Sequence, residues 1–404
     1  MKRLRHFNWL MFAAMIALIA VGTAAIWSAG SARSETVFHG MWINNLVTAA
    51  FGLAVYLVLS FTDYRKLLDC FAVPSYAVSI ALLAAVLIFG DTVYGGKRWL
   101  WFFQPSEISK ICLIMLVSWL FGTPVDYSPV KKTAGFFGAW RFTFRGFALA
   151  AAVIGVPALL ILAEPDLGTT LTLVPATVVM LLVARVWRRG LVAMALAGAV
   201  GAAAVLGAVY EAEKPGVPPQ RRESILKLVP LKPHQIRRVR VFLFPEEDLQ
   251  GAGYNLRQAK ISIGSGGFSG KGLGKGETNH LMYLPQAISM NDFIFCVYAE
   301  EMGFVGSLAL LVLFGCLLVP GCYVAFVSTD GRGRLLALGV STLVFAHVYI
   351  NIAMSIGLVP ITGLPLPFIS SGRTFLMTVM AGLGLVQSVS VHREEKQNEP
   401  VRMV

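Results

Sequence analysis

At Asp292 a carboxylate stands where a polar, glycine-dense segment, residues 211–292, meets the apolar run that begins at Phe293. No other carboxylate lies between Glu277 and it. On residue type and place alone it suits an N-cap, because an aspartate side chain accepts bonds from the exposed amides of a helix's first turn. Within the same segment, Gly264 through Gly276 is a glycine run broken by Lys271 and Lys275. Glycines allow close backbone approach, and their amides with the two lysines could hold a phosphate. The Gly-Lys-Ser/Thr ending of a P-loop is missing, so a flexible linker stays open beside that reading.

Three other stretches carry ionisable or irregular material. Gly95-Gly96-Lys97-Arg98-Trp99-Leu100-Trp101 runs into Gln104-Pro105-Ser106-Glu107 and Lys110. Cations beside tryptophans suit phosphate or headgroup contact at a membrane surface. Glu107 and Lys110, three apart at a helix start, can pair on one face. Ionisable residues inside a span are functional candidates, with a structural ion pair locking two helices as the alternative. Ala163-Glu164-Pro165-Asp166-Leu167-Gly168-Thr169 is a tight turn in which Asp166 can cap the next helix or do chemistry. Pro360 through Arg373, with Ser370 and Ser371, is broken by prolines and looks re-entrant. Irregular backbone at that depth survives only against protein or water.

The elements that position these residues must be membrane helices. The chain has 404 residues, 56% hydrophobic and 14% charged, with mean hydropathy +0.69. That is too much apolar surface for a soluble fold, and the apolar runs reach the roughly 20 residues a bilayer requires. Ten spans are expected, at 8–29, 42–61, 71–90, 106–122, 146–163, 168–186, 190–210, 293–327 (bent near Gly303 and Gly306), 335–358 and 374–391. All should be helical, since backbone groups in lipid must bond within their own segment. The expected fold class is therefore all-α polytopic, with a large extracytoplasmic loop between helices 7 and 8.

Basic residues fall on alternate connections: Lys2, Arg3 and Arg5; Arg65 and Lys66; Lys131, Lys132, Arg141 and Arg145; Arg185, Arg188 and Arg189; Arg332 and Arg334. That pattern puts both termini in the cytoplasm and turns 91–104, 164–167, 211–292 and 359–373 outward. The formal +12 charge reads as topology and attraction to anionic membrane lipids rather than to nucleic acid. The first span is too long for a signal peptide. Cys70, Cys112, Cys296, Cys316 and Cys322 lie in or beside spans without metal-ligand spacing, as small apolar packers do. No internal repeat of the kind that builds many transporters is visible. His234 through Pro245 alternates cations with aliphatic and aromatic residues, as an element lying in the interface would.

Taken in order, the stretches resemble the SEDS family of shape, elongation, division and sporulation proteins, most closely its RodA branch. The matching pieces are Phe103-Gln104-Pro105-Ser106-Glu107 with Lys110, Pro165 through Thr169, Gln258 through Gly267, Leu284-Pro285, Asp292 through Phe295, Ala299 through Phe304, and Pro360 through Phe368. The resemblance implies a single membrane domain over 1–404. Its implied activity is a peptidoglycan glycosyltransferase polymerising lipid II into a glycan strand at the outer face of a bacterial cytoplasmic membrane. A class B penicillin-binding transpeptidase is the implied partner. By the same match Asp292 is the catalytic candidate, and Glu107 with Lys110 an ion pair holding the active arrangement.

Such a transfer needs a base for the acceptor hydroxyl and positive charge for the departing diphosphate. Asp292 would be the base, and Lys97, Arg98, Arg238, Lys271 and Lys275 the diphosphate contacts. A divalent cation, Mg or Mn, could share that work. Direct attack inverts an α-linked donor without a covalent nucleophile. Gln104, Asp166, Gln258, Ser370 and Ser371 are supporting candidates. The chain departs from the family pattern at Gln286, in the longer approach Ala287 through Asn291, in the shorter stretch from Arg98 to Gln104, and at Ser370-Ser371-Gly372-Arg373-Thr374. A lipid II flippase and an inactive scaffold for wall-synthesis partners are the other two readings.

Overall fold

The computed structural model describes residues 5–31, 40–93, 96–101, 103–122, 143–164, 166–214, 216–229, 231–248, 251–281 and 283–393. The basic residues Lys2, Arg3, Lys131, Lys132 and Arg141 lie outside them, as do the side chains of Lys97 and Gln286. A helix occupies each expected span: α1 (Trp9–Ser31), α2 (Met41–Phe61), α3 (Tyr64–Phe89), α4 (Pro105–Phe121), α5 (Phe144–Ala163), α6 (Leu167–Val183) and α7 (Arg188–Glu213) come before the long polar segment. Within that segment are α8 (Pro219–Leu228), α9 (Pro233–Leu243), α10 (Ala252–Ser265), α11 (Glu277–His280) and α12 (Gln286–Met290). After it come α13 (Ile294–Val327), α14 (Gly331–Ser355) and α15 (Arg373–Val391). Eight of the ten span helices are long and apolar enough to cross a membrane. The other two, α4 and α6, have 17 residues each.

The third helix begins seven residues before its expected start because Asp63 caps it, accepting from the Arg65 amide at 3.0 Å. A two-stranded antiparallel ribbon, β1 (Asp91–Val93) with β2 (Gly96–Trp99), leads from α3 toward α4. Helices α14 and α15 form the middle of the bundle: α14 packs on α4, α6 and α13, and α15 on α2. Most of each is buried, whereas the apolar surface of α7 is almost wholly exposed, as suits lipid contact. At one end of the bundle the connections with basic residues meet, Arg332 pairing with Asp69 at 2.7 Å and the Tyr64 hydroxyl donating to Asp330 at 3.1 Å. At the other end the four unusual stretches gather.

The polar segment is helical rather than loose. Helix α9, the expected interface element, packs on α7 and α10, with Val241 and Gln235 buried. Its Arg240 pairs with Glu213 at 3.1 Å, and the Phe244 ring stacks on Tyr210. The bend in α13 falls at Gly303, whose φ of 65° and ψ of −164° interrupt the helix. A side chain there would meet the Gly270 amide nitrogen at 2.3 Å, so the glycine lets the 266–276 turn lie against the helix break. That turn is pinned by carboxylates of the broken helix. Glu300 accepts from Lys271 Nζ at 2.8 Å, from the Glu277 amide at 2.9 Å and from Ser262 Oγ at 3.1 Å, while Glu301 accepts from Ser28 of α1.

Candidate active site

A cavity of about 520 Å³ opens at the end where the four stretches meet. Its lining includes Arg98, Trp99, Trp101, Gln104, Glu107, Asp166, Thr169, Arg238, Asn291, Asp292 and Gly363. Residues as far apart as 98 and 365 thus share one wall, although no sequence repeat or periodicity links them.

Asp292 sits just before α13 rather than inside it. The approach, longer than the family pattern, is taken up by the turn of α12, which Phe293 closes by donating its amide to the Ile288 carbonyl at 3.0 Å. The Asp292 carbonyl accepts from Asn351 Nδ2 at 2.9 Å, and the same nitrogen donates to the Leu364 carbonyl at 2.7 Å. One buried amide of α14 therefore ties the acidic residue to the 360–372 stretch. Ser370 Oγ donates to the Asn291 carbonyl at 2.6 Å and accepts from the Leu366 amide at 2.8 Å, and Ser371 Oγ bonds to the Asn291 side chain. Gly363 adopts φ +72°, and a methyl added to it would lie 3.3 Å from Asp292 Oδ2 and 3.9 Å from Arg238 Nη2. Glycine takes this φ at no cost and leaves the carboxylate room that a side chain would narrow.

The electrostatics follow from that crowding. Burial pushes the Asp292 carboxyl up to about 6; Arg238 and Arg98 pull it back, and Asp166 adds to the rise. Arg238 reaches across from α9 and donates to the Thr362 carbonyl at 2.8 Å. Its own value is lowered, first by burial and then by Arg98, so two guanidiniums repel across one cavity. An anion between them would relieve both. Glu164, fully buried at the end of α5, is pushed up to about 8 by burial and then by Asp166, with Arg98 pulling it back.

Asp166 is an N-cap: Oδ1 accepts from the Thr169 amide at 3.1 Å. Its other oxygen accepts from Gln104 Nε2 at 3.0 Å and Thr169 Oγ1 at 2.9 Å, so cap and cavity wall are one residue. Beneath them, Lys110 Nζ lies 2.7 Å from Glu107 Oε2 and 2.9 Å from His347 Nε2. For lysine to donate, Nε2 must accept, which puts the imidazole proton on Nδ1. Phe375 closes the group, with Lys110 over its ring at 5.4 Å.

Several sequence candidates stand elsewhere. Lys271 is held by Glu300 away from the cavity, Lys275 is not among the lining residues, and Gln258 is half-buried on α10. The glycine run thus forms a turn packed on α13 and Ser28. Lys97 belongs to β2 by its backbone, its side chain outside the described set. The residues that sequence reasoning did not assign are Asn351, Gly363, Thr169 and His347. A polar residue inside an apolar span was the available signal for Asn351 and His347.

The family model described as cell cycle protein, FtsW/RodA/SpoVE, matches residues 8–395. The chain belongs to this family. Among relatives of this FtsW/RodA/SpoVE member, the peptidoglycan glycosyltransferase MrdB of Escherichia coli is 34% identical over 394 residues, covering 96% of this chain and 95% of that protein. The probable peptidoglycan glycosyltransferase FtsW of Trichlorobacter lovleyi is 33% identical over 397 residues, covering 96% and 94%. A chain from a peptidoglycan synthase complex, described for its coordination of polymerization and crosslinking, superposes with a TM-score of 0.71 at 26% identity, covering 96% and 98%. The rod shape determining protein RodA of Thermus thermophilus gives a TM-score of 0.64 at 25% identity over the same shares. The FtsW/RodA/SpoVE member described here is thus a polytopic helical bacterial membrane protein.

Proposed function

We propose that this chain is a peptidoglycan glycosyltransferase that polymerises lipid II, with Asp292 as the general base. The observation that carries this is the Asp292 carboxylate, which lines one cavity with Arg98 and Arg238 and is raised to about 6. A base poised near the working pH combines the ionised form with real proton affinity. The acceptor sugar hydroxyl gives its proton to Asp292 as its oxygen attacks the anomeric carbon of an α-linked donor. The bond to the diphosphate breaks on the opposite face, giving a β-linked product in one inversion. Arg98 and Arg238 receive the charge that builds on the leaving oxygen. Gln104 and Asp166 shape the wall beside them. Glu107 and Lys110 hold α4 against α14 beneath, and Asn351, Ser370 and Ser371 hold the backbone around Asp292.

Among the described residues no group of three or more His, Cys, Asp or Glu is placed to hold a metal ion, and Asp166 is already engaged by Gln104 and Thr169. A Mg or Mn site of three or more protein ligands is therefore absent among the described residues, and an ion held by one or two carboxylates with the substrate diphosphate would have Asp292 as its protein oxygen. The polymer would pass to a class B penicillin-binding transpeptidase for crosslinking, a pairing supported by the likeness to a synthase complex. With both termini cytoplasmic, residues 1–404 work as one membrane unit, and 211–292 forms the outer wall of its site.

The test is polymerisation of lipid II by the purified protein with its transpeptidase partner, wild type against Asp292→Ala. Strands from the wild type and none from an equally well-folded variant support the reading; strands from both defeat it.

A further inference from the structure

Trp101 is 84% exposed, an unusual state for the largest side chain, and it stands at the edge of the cavity that holds Asp292. Its backbone is strained as well. Leu100 and Phe103 exchange amide-to-carbonyl bonds at 3.1 and 3.2 Å, closing a tight turn in which Trp101 has φ +53°. A residue with a Cβ in that region is disfavoured by roughly 1–2 kcal/mol, and glycine or asparagine would occupy it freely. The fold therefore carries a conformational cost at this position that packing does not repay, since little of the ring touches protein. Strain retained at a site edge points to a use for the side chain.

The surroundings indicate the occupant. The same cavity is lined by Asn291, Asp292 and Arg238, all polar, while Trp101 offers a flat apolar face. About 520 Å³ lies within the range of small-molecule sites, which combine apolar walls with a few fixed polar groups. A pyranose ring has that mixed character, with C–H bonds on its faces and hydroxyls at its rim. We propose that Trp101 is a sugar-stacking subsite, holding a ring of the glycan substrate face-on beside Asp292. The inference rests on the glycosyltransferase reading and adds a binding residue to it. The competing occupant is the membrane itself, because tryptophans also anchor at the lipid–water interface.

Three substitutions separate these. Trp101→Gly removes the ring while suiting the turn, Trp101→Phe restores a flat aromatic face, and Trp101→Leu restores apolarity without one. Initial rates are measured against lipid II concentration, with the partner present. Trp101→Gly should raise KM about tenfold, equivalent to ~1.4 kcal/mol, with kcat little changed and the unfolding midpoint equal or higher. Phe should recover most of the loss and Leu little of it. An unchanged KM in Trp101→Gly, or recovery by Leu as full as by Phe, overturns the subsite while Asp292→Asn still slows polymerisation by roughly 10²–10⁴. Should wild type make no polymer, the parent reading fails instead. Binding of a β-1,4-linked N-acetylglucosamine tetramer then decides: retention in Asp292→Asn with loss in Trp101→Gly upholds the subsite, and no binding to wild type overturns it too.

Discussion

The ionisation of Asp292 sets a pH dependence that its neighbours should move in known directions. The carboxyl is raised from an ordinary 3.8 to about 6, a charging penalty of ~3 kcal/mol at ~1.4 kcal/mol per unit. Because the folded value lies above the unfolded one, folding favours the protonated form. That stabilisation is complete below 3.8 and is lost as pH rises through about 6. Catalysis runs the other way, since a base must be ionised. The kcat/KM for lipid II polymerisation should be about half-maximal near pH 6 and fall toward about a tenth near pH 5. Arg238 is the strongest influence lowering the value, so Arg238→Gln should shift the midpoint upward. Asp166→Asn keeps a capping oxygen but removes a negative charge, so its midpoint should fall by a smaller amount. The assay is initial polymerisation rate against pH for the three proteins. A midpoint near 4, or one that neither substitution moves, refutes the assignment.

Two further outcomes concern the supports. Lys110→Met strands Glu107 and His347 between helices and should lower stability by ~3–5 kcal/mol, much of it recovered in Glu107→Leu/Lys110→Met; thermal unfolding in detergent reads both. Asn351→Leu leaves the Asp292 and Leu364 carbonyls without their donor, at ~1–3 kcal/mol. It should reduce polymerisation more than it reduces expression of folded protein, and a fully active Asn351→Leu would mean that the clamp does not position the acid.

Much of this was legible in the chain because membrane helices announce themselves by length and apolarity. All ten helices overlap their expected spans, the third starting seven residues early, and the break at Gly303 falls where a bend was expected. Local chemistry was legible too: the i,i+3 spacing of Glu107 and Lys110 and the place of Asp166 before Thr169 carry their own geometry. Lys271 shows where such reading stops. A lysine among glycines suits a phosphate equally well whether or not a buried glutamate waits for it, and Glu300 is 29 positions away. Likewise His347 meets Lys110 across 237 positions, and Asn351 reaches Asp292 across 59. Such contacts come from helix packing, on which hydropathy is silent. The helices of the polar segment were hidden for another reason, since their short amphipathic runs are interrupted by prolines and glycines at turns.

The central claim is that Asp292 takes the proton. Asn has the same shape without the charge, so the most direct measurement is the single-turnover rate of lipid II coupling by Asp292→Asn in complex with its partner, beside its affinity for lipid II. Affinity within about threefold of wild type and a rate reduced by roughly 10²–10⁴ is the expected result. A variant that couples lipid II at the wild-type rate would contradict it.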